Sequence, residues 1–511
     1  MRVDTDVIIV GAGPAGLMLA SELQLAGVRP VVLERAPQPR NVPKAHGLSG
    51  QILQLLSYRG LLERVTGATT DPIPAPQFPY GGVQVSLTHL ADPPLDALPL
   101  PQARLEHLLA EHAGDLGAEI RRGHEVTGIG QDDSTVTVDV QGPDGAYQLT
   151  ARYVIGCDGA RSRVRDLAGI PFPGTTYPEV NRVAQVTVPD SVTMLDNGDL
   201  EVPGLGRVAA GFTRTERGVF AVGSLTPGVL FLQTTEDESV EYDDDKPMTM
   251  DELHASIRRI LGGDIPLGEP QRLSRYTFQA RQAERYRDGR ILLAGDAAHL
   301  FPATGIAMNV GMLDTVNLAW KLAAVLDGGA PDSLLDTYHT ERHYAGARMM
   351  QQTQAQVALR RSYDPAAEAL RAVLQELLAD EQPAHRLASM VAGTDVRYPM
   401  PGAEHALAGT FAPDLTLRTG ESVTSVAELM HTARPVFLDL ADRSDLREIV
   451  REWDSRVEIV TADADDRPAD ALLIRPDAHI AWAATGDGSA EGLREALLSW
   501  FGAPEPAATA V

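Results

Sequence analysis

Cysteine is nearly absent: Cys157 is the single one in 511 residues. One thiol excludes an intramolecular disulfide and any zinc site built from several cysteines. Positive charge is also short, with 44 Lys and Arg against 70 Asp and Glu and a net charge of −26. Nucleic acid and anionic membrane both require a basic face, so neither is expected as a partner. No apolar run approaches the roughly 20 residues of a membrane-crossing helix. The opening Met1-Arg2-Val3-Asp4-Thr5-Asp6 puts acids where a secretion signal needs bases, and a cytoplasmic protein is expected. Internal repeats are missing. The 13 histidines show no ligand spacing. His339 and His343 stand four apart, but Glu341 is not adjacent to His339 as a zinc-protease helix requires, so no metal is expected.

What is present is an ordinary globular balance, 44% hydrophobic and 22% charged. At roughly 150 residues per domain the length suggests about three domains. Asp6-Val7-Ile8-Ile9-Val10 reads as a buried parallel strand. Gly11-Ala12-Gly13-Pro14-Ala15-Gly16 follows, then an apolar run at helical spacing, then a second strand, Pro30 to Glu34. Gly11 permits a tight turn, Gly13 lets backbone approach a pyrophosphate, and Gly16 lets helix and strand pack closely. Glu34, 18 residues beyond Gly16, stands where an acid bonds a ribose hydroxyl. Together these features predict a dinucleotide site. Two further stretches put an aspartate beside glycine after a buried strand. One is Gly156-Cys157-Asp158-Gly159, and the other is Ala294-Gly295-Asp296. Polar groups at that end of a strand face the ligand crevice of an open α/β sheet.

An amphipathic helix is expected over Gln102 to Leu116. From about Pro171 to Arg285 alternating segments predict an antiparallel sheet. The acidic run Glu236 to Asp245 is expected in a solvated loop. Helical patterns dominate from Met312 to about Ala392. Pro399-Met400-Pro401-Gly402 reads as a linker, and strand and helix patterns after it predict a small third α/β domain.

The three motifs, in this order, resemble the single-component flavoprotein monooxygenases related to para-hydroxybenzoate hydroxylase. The likeness extends to their aromatic-polyketide and rifampicin-monooxygenase branch. It implies an α/β fold with a Rossmann-type FAD-binding domain over residues 1–170 and 286–400. It also implies an antiparallel-sheet substrate domain over 171–285 and a thioredoxin-like C-terminal domain, without a Cys pair, over 403–511. The cofactor so implied is FAD, with NADPH or NADH as a transient co-substrate. Its contacts would come from Gly11, Gly13, Ala15, Gly16, Glu34, Arg35, Lys44, Gln102, Arg104, Asp158, Gly295 and Asp296. The segment Pro302, Gly305, Ala307, Met308 and Asn309 is similar to the family's flavin loop, but one residue shorter and lacking its Gly-Gly-Gln-Gly.

The implied reaction inserts one oxygen atom of O2 into a polycyclic aromatic substrate through a flavin C4a-hydroperoxide. The resemblance implies no indispensable side-chain acid or base. Substrate lining is expected from Tyr177–Arg182, Leu205–Phe212, Phe220–Gly223 and Phe301-Pro302. Three readings stay open: hydroxylation of a polyketide, Baeyer–Villiger or antibiotic-inactivating oxygenation, and a flavin-fold ligand binder without oxygenation. Oligomeric state stays open too, a homodimer among the options.

Overall fold

The computed structural model describes residues 3–39, 47–67, 73–226, 228–237, 246–302, 305–361, 365–401, 404–420, 422–486 and 490–504. Lys44 and His46 lie outside them.

Four short, largely apolar and buried strands dictate the first layer. Val7–Val10, Pro30–Glu34, Tyr153–Gly156 and Ile291–Leu293 run parallel in one six-stranded sheet. Glu119–Arg122 extends it at one edge, and Arg287–Asp288 adds an antiparallel end strand at the other. The register is the informative part. Val10 pairs with both Leu33 and Gly156, and Gly156 pairs with Leu293. One row across the sheet therefore ends three of these strands and passes one residue before the end of the fourth, and all three glycine-containing turns leave from that row.

The chain between Tyr153–Gly156 and Ile291–Leu293 builds a second, antiparallel sheet. Its order is Gly211–Thr215, Gly218–Thr226, Val229–Asp237, Gly174–Thr187, Pro270–Gln282 and His299–Leu300. The helix Met250–Leu261 covers one face. Thr249 caps its start by accepting from the Glu252 amide, and Gly262 stops it in the left-handed conformation. Leu253, Ile257 and Ile260 pack there on Ala184, Val186, Phe220, Val222, Leu230 and Leu232.

Glu236 departs from the expected solvated loop. It is buried in the strand Val229–Asp237 and accepts from Arg182 and Arg259. Burial of a carboxylate is tolerated because both guanidiniums neutralise it. The expected helical region begins earlier than predicted and is divided into Ala307–Leu326, Asp336–Arg361, Pro365–Leu377 and Glu381–Ala392.

After residue 404 a four-stranded sheet runs Glu458–Thr461, Val436–Asp439, Ala471–Ile474, Ile480–Ala484, flanked by the helix Ala490–Phe501. It docks on the rest through aromatic and ionic contacts. Trp320 meets Trp500 at 6.3 Å and Phe501 at 6.2 Å between ring centroids. Arg475, fully buried, donates to both oxygens of Glu341 and both of Asp477. Lys321 and Asn317 complete that cluster through Glu341 and Asp477. Among the described residues no helix is long and apolar enough to cross a membrane.

Candidate active site

The shared strand row makes three turns meet. A Cβ at Gly11 (φ +106) would lie 2.4 Å from the Cys157 carbonyl oxygen and 3.0 Å from the Asp158 Cα. A Cβ at Gly16 would lie 2.0 Å from the Gly11 carbonyl oxygen. A Cβ at Gly295 would touch Ala15 at 3.3 Å, and one at Gly311 would stand 3.0 Å from the Gly295 Cα. At Gly11, Gly16 and Gly311 backbone approaches backbone and leaves no room for a Cβ, while Gly295 supplies a left-handed φ of +63°. Gly13 is different: a Cβ there meets nothing within 4 Å. Its φ of −81° and ψ of −178° suit any residue. Backbone approach by another protein segment therefore does not account for this glycine.

Helix Pro14–Leu25 starts without a side-chain cap and without acid in its first turn, and so does helix Ala307–Leu326. The two helices adjoin near their starts, where a Cβ built on Gly311 would stand 3.8 Å from the Ala15 Cβ. Two positive helix ends are thus left for anionic or electron-rich groups.

Glu34 and Asp158 each have a structural duty at the row. Glu34 accepts from the Ala12 amide at 2.9 Å and the Ala36 amide at 2.8 Å, tying the second strand to the first turn. Asp158 accepts from the Ser162 hydroxyl and from the Arg163 and Val164 amides. Burial pushes its carboxyl up, against those hydrogen bonds. Asp158→Ala should strip a helix start of three partners and cost about 1–2 kcal/mol, read by urea titration. Arg165 follows in the same helix and reaches the Ala160 and Ala297 carbonyls at 3.3 Å, joining the second turn to the third. Asp296 is exposed at the rim, and Arg35 is exposed after the second strand.

Behind the third turn lies a buried network. Asp314 Oδ2 accepts from the Gly295 amide at 3.0 Å and pairs with His299 Nε2 at 2.7 Å. Arg342 donates to Asp314 Oδ1 at 2.7 Å, to the Tyr398 hydroxyl and to the Val310 carbonyl. Burial alone would raise the Asp314 carboxyl, yet Arg342 and His299 hold it below its ordinary range. A permanent anion thereby fixes the Gly295 turn against the helix Ala307–Leu326.

The predicted loop residues gather at that helix. Pro302 is buried, Gly305 exposed, Ala307 and Met308 half-buried, and Asn309 buried. Asn309 Nδ2 donates to the Ser49 carbonyl at 3.1 Å, while its Oδ1 is buried with no partner. Gln51 Nε2 is also buried and unsatisfied. Both residues line one cavity with Ser49, Ile52, Ile306 and Val310. A buried acceptor and donor left unpaired in one cavity point to a polar ligand edge. Gln102 instead donates to Glu106 one turn along its own helix, and Arg104 is exposed there.

Period-two alternation revises the expected substrate lining. Arg182 pairs with Glu236 and Glu252, and Phe220 packs under the helix Met250–Leu261, both on the face away from the crevice. Leu205 and Val208 join that same cluster. Tyr177 lies on the opposite face, with Phe278 and Tyr276. The last two were missed, although the alternation Arg272, Ser274, Tyr276, Phe278 was there to read. His299, Asp314, Arg342 and Tyr398 also escaped notice as a set, since no local spacing links residues brought together from four elements.

Two uncapped helix ends, an open glycine and an unsatisfied amide along one crevice define a dinucleotide-type flavin site. Family models agree: the FAD binding domain matches residues 4–353, and the C-terminal part of the aromatic-ring hydroxylases matches residues 405–504. The chain is 40% identical over 508 residues to the 12-dehydrotetracycline 5-monooxygenase/anhydrotetracycline 6-monooxygenase of Streptomyces rimosus, covering 98% of this chain and 99% of that one. It is 40% identical over 510 residues to the rifampicin monooxygenase of Streptomyces venezuelae, with 98% and 99% covered. An aromatic hydroxylase from angucycline biosynthesis superposes with a TM-score of 0.89 at 39% identity, covering 98% of this chain and all of that one. The chain belongs to the FAD-dependent aromatic-ring hydroxylase family of monooxygenases.

Proposed function

We propose that the protein consumes NAD(P)H and O2 to hydroxylate a polycyclic aromatic substrate of polyketide type. The carrying observation is the strand row that brings Gly11–Gly16, Asp158 and Gly295 to one crevice. FAD, when bound, accepts hydride and activates O2. The chain holds, orients and shields it. Amides at the start of helix Pro14–Leu25 suit the pyrophosphate, Gly13 leaving room for its approach. Glu34 retains lone pairs for a ribose hydroxyl. Asn309 Oδ1 suits an N–H on the ring edge. The uncapped start of helix Ala307–Leu326, with Ala307 and Met308 in its first turn, favours the charge a reduced ring acquires. Phe301, Val310 and Met349 pack together beside that start as an apolar wall that keeps water out.

A second reading, oxygenation that inactivates an antibiotic, is favoured by the likeness to a rifampicin monooxygenase. One experiment decides. The purified protein should be yellow, and NADPH consumption should rise with a panel of polycyclic phenols and quinones. Product mass with ¹⁸O2 should show one added oxygen, as a phenol for hydroxylation or as a ring ester for insertion. NADPH oxidation yielding only peroxide with every panel member would reject both.

A further inference from the structure

The sheet face opposite the helix Met250–Leu261 carries two arginines, Arg214 and Arg360, that no carboxylate pairs with among the described residues. Side chains alternate along Pro270–Gln282: Leu273 and Arg275 turn to the helix Met250–Leu261, the latter through Glu252. Tyr276 and Phe278 contribute to the other face, their rings edge to face at 5.8 Å. On that face the Arg360 guanidinium carbon stands 5.1 Å from the Phe212 ring centroid and 5.9 Å from that of Phe278. Arg214 approaches Phe212 at 5.8 Å. The Nε atoms of Arg214 and Arg360 are both buried with no hydrogen-bond partner.

The surroundings supply little compensation. Among the described residues no carboxylate pairs with Arg360; the groups acting on it are Arg214 and the Tyr276 phenol. Arg214 donates once, to the Gly81 carbonyl at 3.3 Å. The acid nearest in effect, Glu368, is held by Arg371. Burial, reinforced by Arg214 for Arg360 and by Arg371 for Arg214, lowers the proton affinity of both guanidiniums. In a chain with 70 acids against 44 cations, partly buried guanidiniums find carboxylates readily. Leaving two without one costs stability unless a ligand completes them.

This cluster is continuous with the flavin loop. Arg281 pairs with Leu300, immediately before Phe301-Pro302. Along helix Asp336–Arg361, Met349 packs on Phe301 and Val310, and Val357 on Phe278. Arg360 lies 11 residues past Met349, about 16 Å along the axis. A fused multi-ring molecule can reach from loop to cluster, and a lone phenol cannot.

We propose that Arg214 and Arg360 form an anion subsite that seats an ionised oxygen group of the polycyclic substrate, with Phe212 and Phe278 beneath its rings. This rests on the function proposed above and narrows it to substrates carrying an enolate, acidic phenolate or carboxylate at the end away from the flavin. Two guanidiniums supply charge-assisted bonds to a delocalised oxyanion, and the aromatic floor orients its plane.

Anthraquinone-2-carboxylate and its uncharged carboxamide test this as probes, by equilibrium dialysis against the FAD-loaded full chain. The carboxylate should bind at least about tenfold more tightly than the amide, the effect of one such bond. Arg360→Met and Arg214→Met should erase that preference while the amide changes by no more than about twofold. Arg360→Lys should keep part of it, since charge remains and the fork is lost. Equal affinity for both probes, binding of neither, or equal weakening of both in the variants would overturn the proposal. Should the Met variants not fold, the wild-type preference and Arg360→Lys decide. A protein that takes up no FAD would instead overturn the parent reading.

Discussion

Replacing Gly13 by valine is expected to give a folded, colourless protein. Its backbone already has the extended geometry that β-branched residues favour, and a Cβ there meets no protein atom within 4 Å. It projects instead into the space assigned to the pyrophosphate. FAD affinity should fall at least about 100-fold, roughly 2.7 kcal/mol, with circular dichroism and the melting of the FAD-free protein unchanged. Gly11→Ala and Gly16→Ala should behave in the opposite way. Their Cβ atoms would stand 2.4 Å and 2.0 Å from backbone oxygens, so stability is lost before cofactor affinity can be measured. Flavin absorbance per protein, set beside the melting curve for all three variants, checks the pattern. A Gly13→Val protein that is as yellow as wild type would refute it.

Arg475→Met should release the C-terminal sheet from the rest of the molecule. Arg475 is the cation between Glu341 and Asp477, and its guanidinium lies 4.4 Å from the Trp500 ring centroid. Without it two buried carboxylates keep the Lys321 ammonium, the His479 ring and the neutral Asn317 amide as partners. Breaking such a cluster costs about 3–5 kcal/mol. Tryptophan emission should shift to the red as Trp320 and Trp500 become wet, and a protease should cut near residue 400.

Acid should act in the same direction. Burial alone would raise the Glu341 carboxyl, but Arg475 and Lys321 hold it down at about 2. Its folded value is below its unfolded one, so its contribution is complete above the ordinary glutamate range and drains as pH falls toward 2. Glu341→Gln should lower stability at neutral pH and flatten that acid limb. An unaltered limb would assign acid unfolding to other groups.

How much of this was legible beforehand follows from how local each signal is. The strand–turn–helix at Val7–Leu25 and the turns at Asp158 and Gly295 are written in consecutive residues, and the structure sets them side by side. The motif could not show that Asp158 and Glu34 spend their oxygens on neighbouring amides, because those bonds depend on loop geometry. Phe220 looked like a candidate lining residue until the covering helix fixed which face of its strand is inside. Tyr276, Arg214 and Arg360 come from three elements far apart in the chain, and only the fold assembles them. The buried cluster of Glu341, Arg475 and Asp477 has the same origin.

Cys157 has a practical use. Its thiol is buried beside Gly16 in the turn contact, and burial, with Asp158 and Asp314 near, pushes its pKa well above the ordinary value. Such a sulfur is a poor nucleophile toward maleimides. The native sequence is thus a ready host for site-specific spectroscopic labels. A single cysteine introduced at exposed Val373 would take up a fluorophore or spin probe with no background from the wild-type sulfur, and without mutating it away.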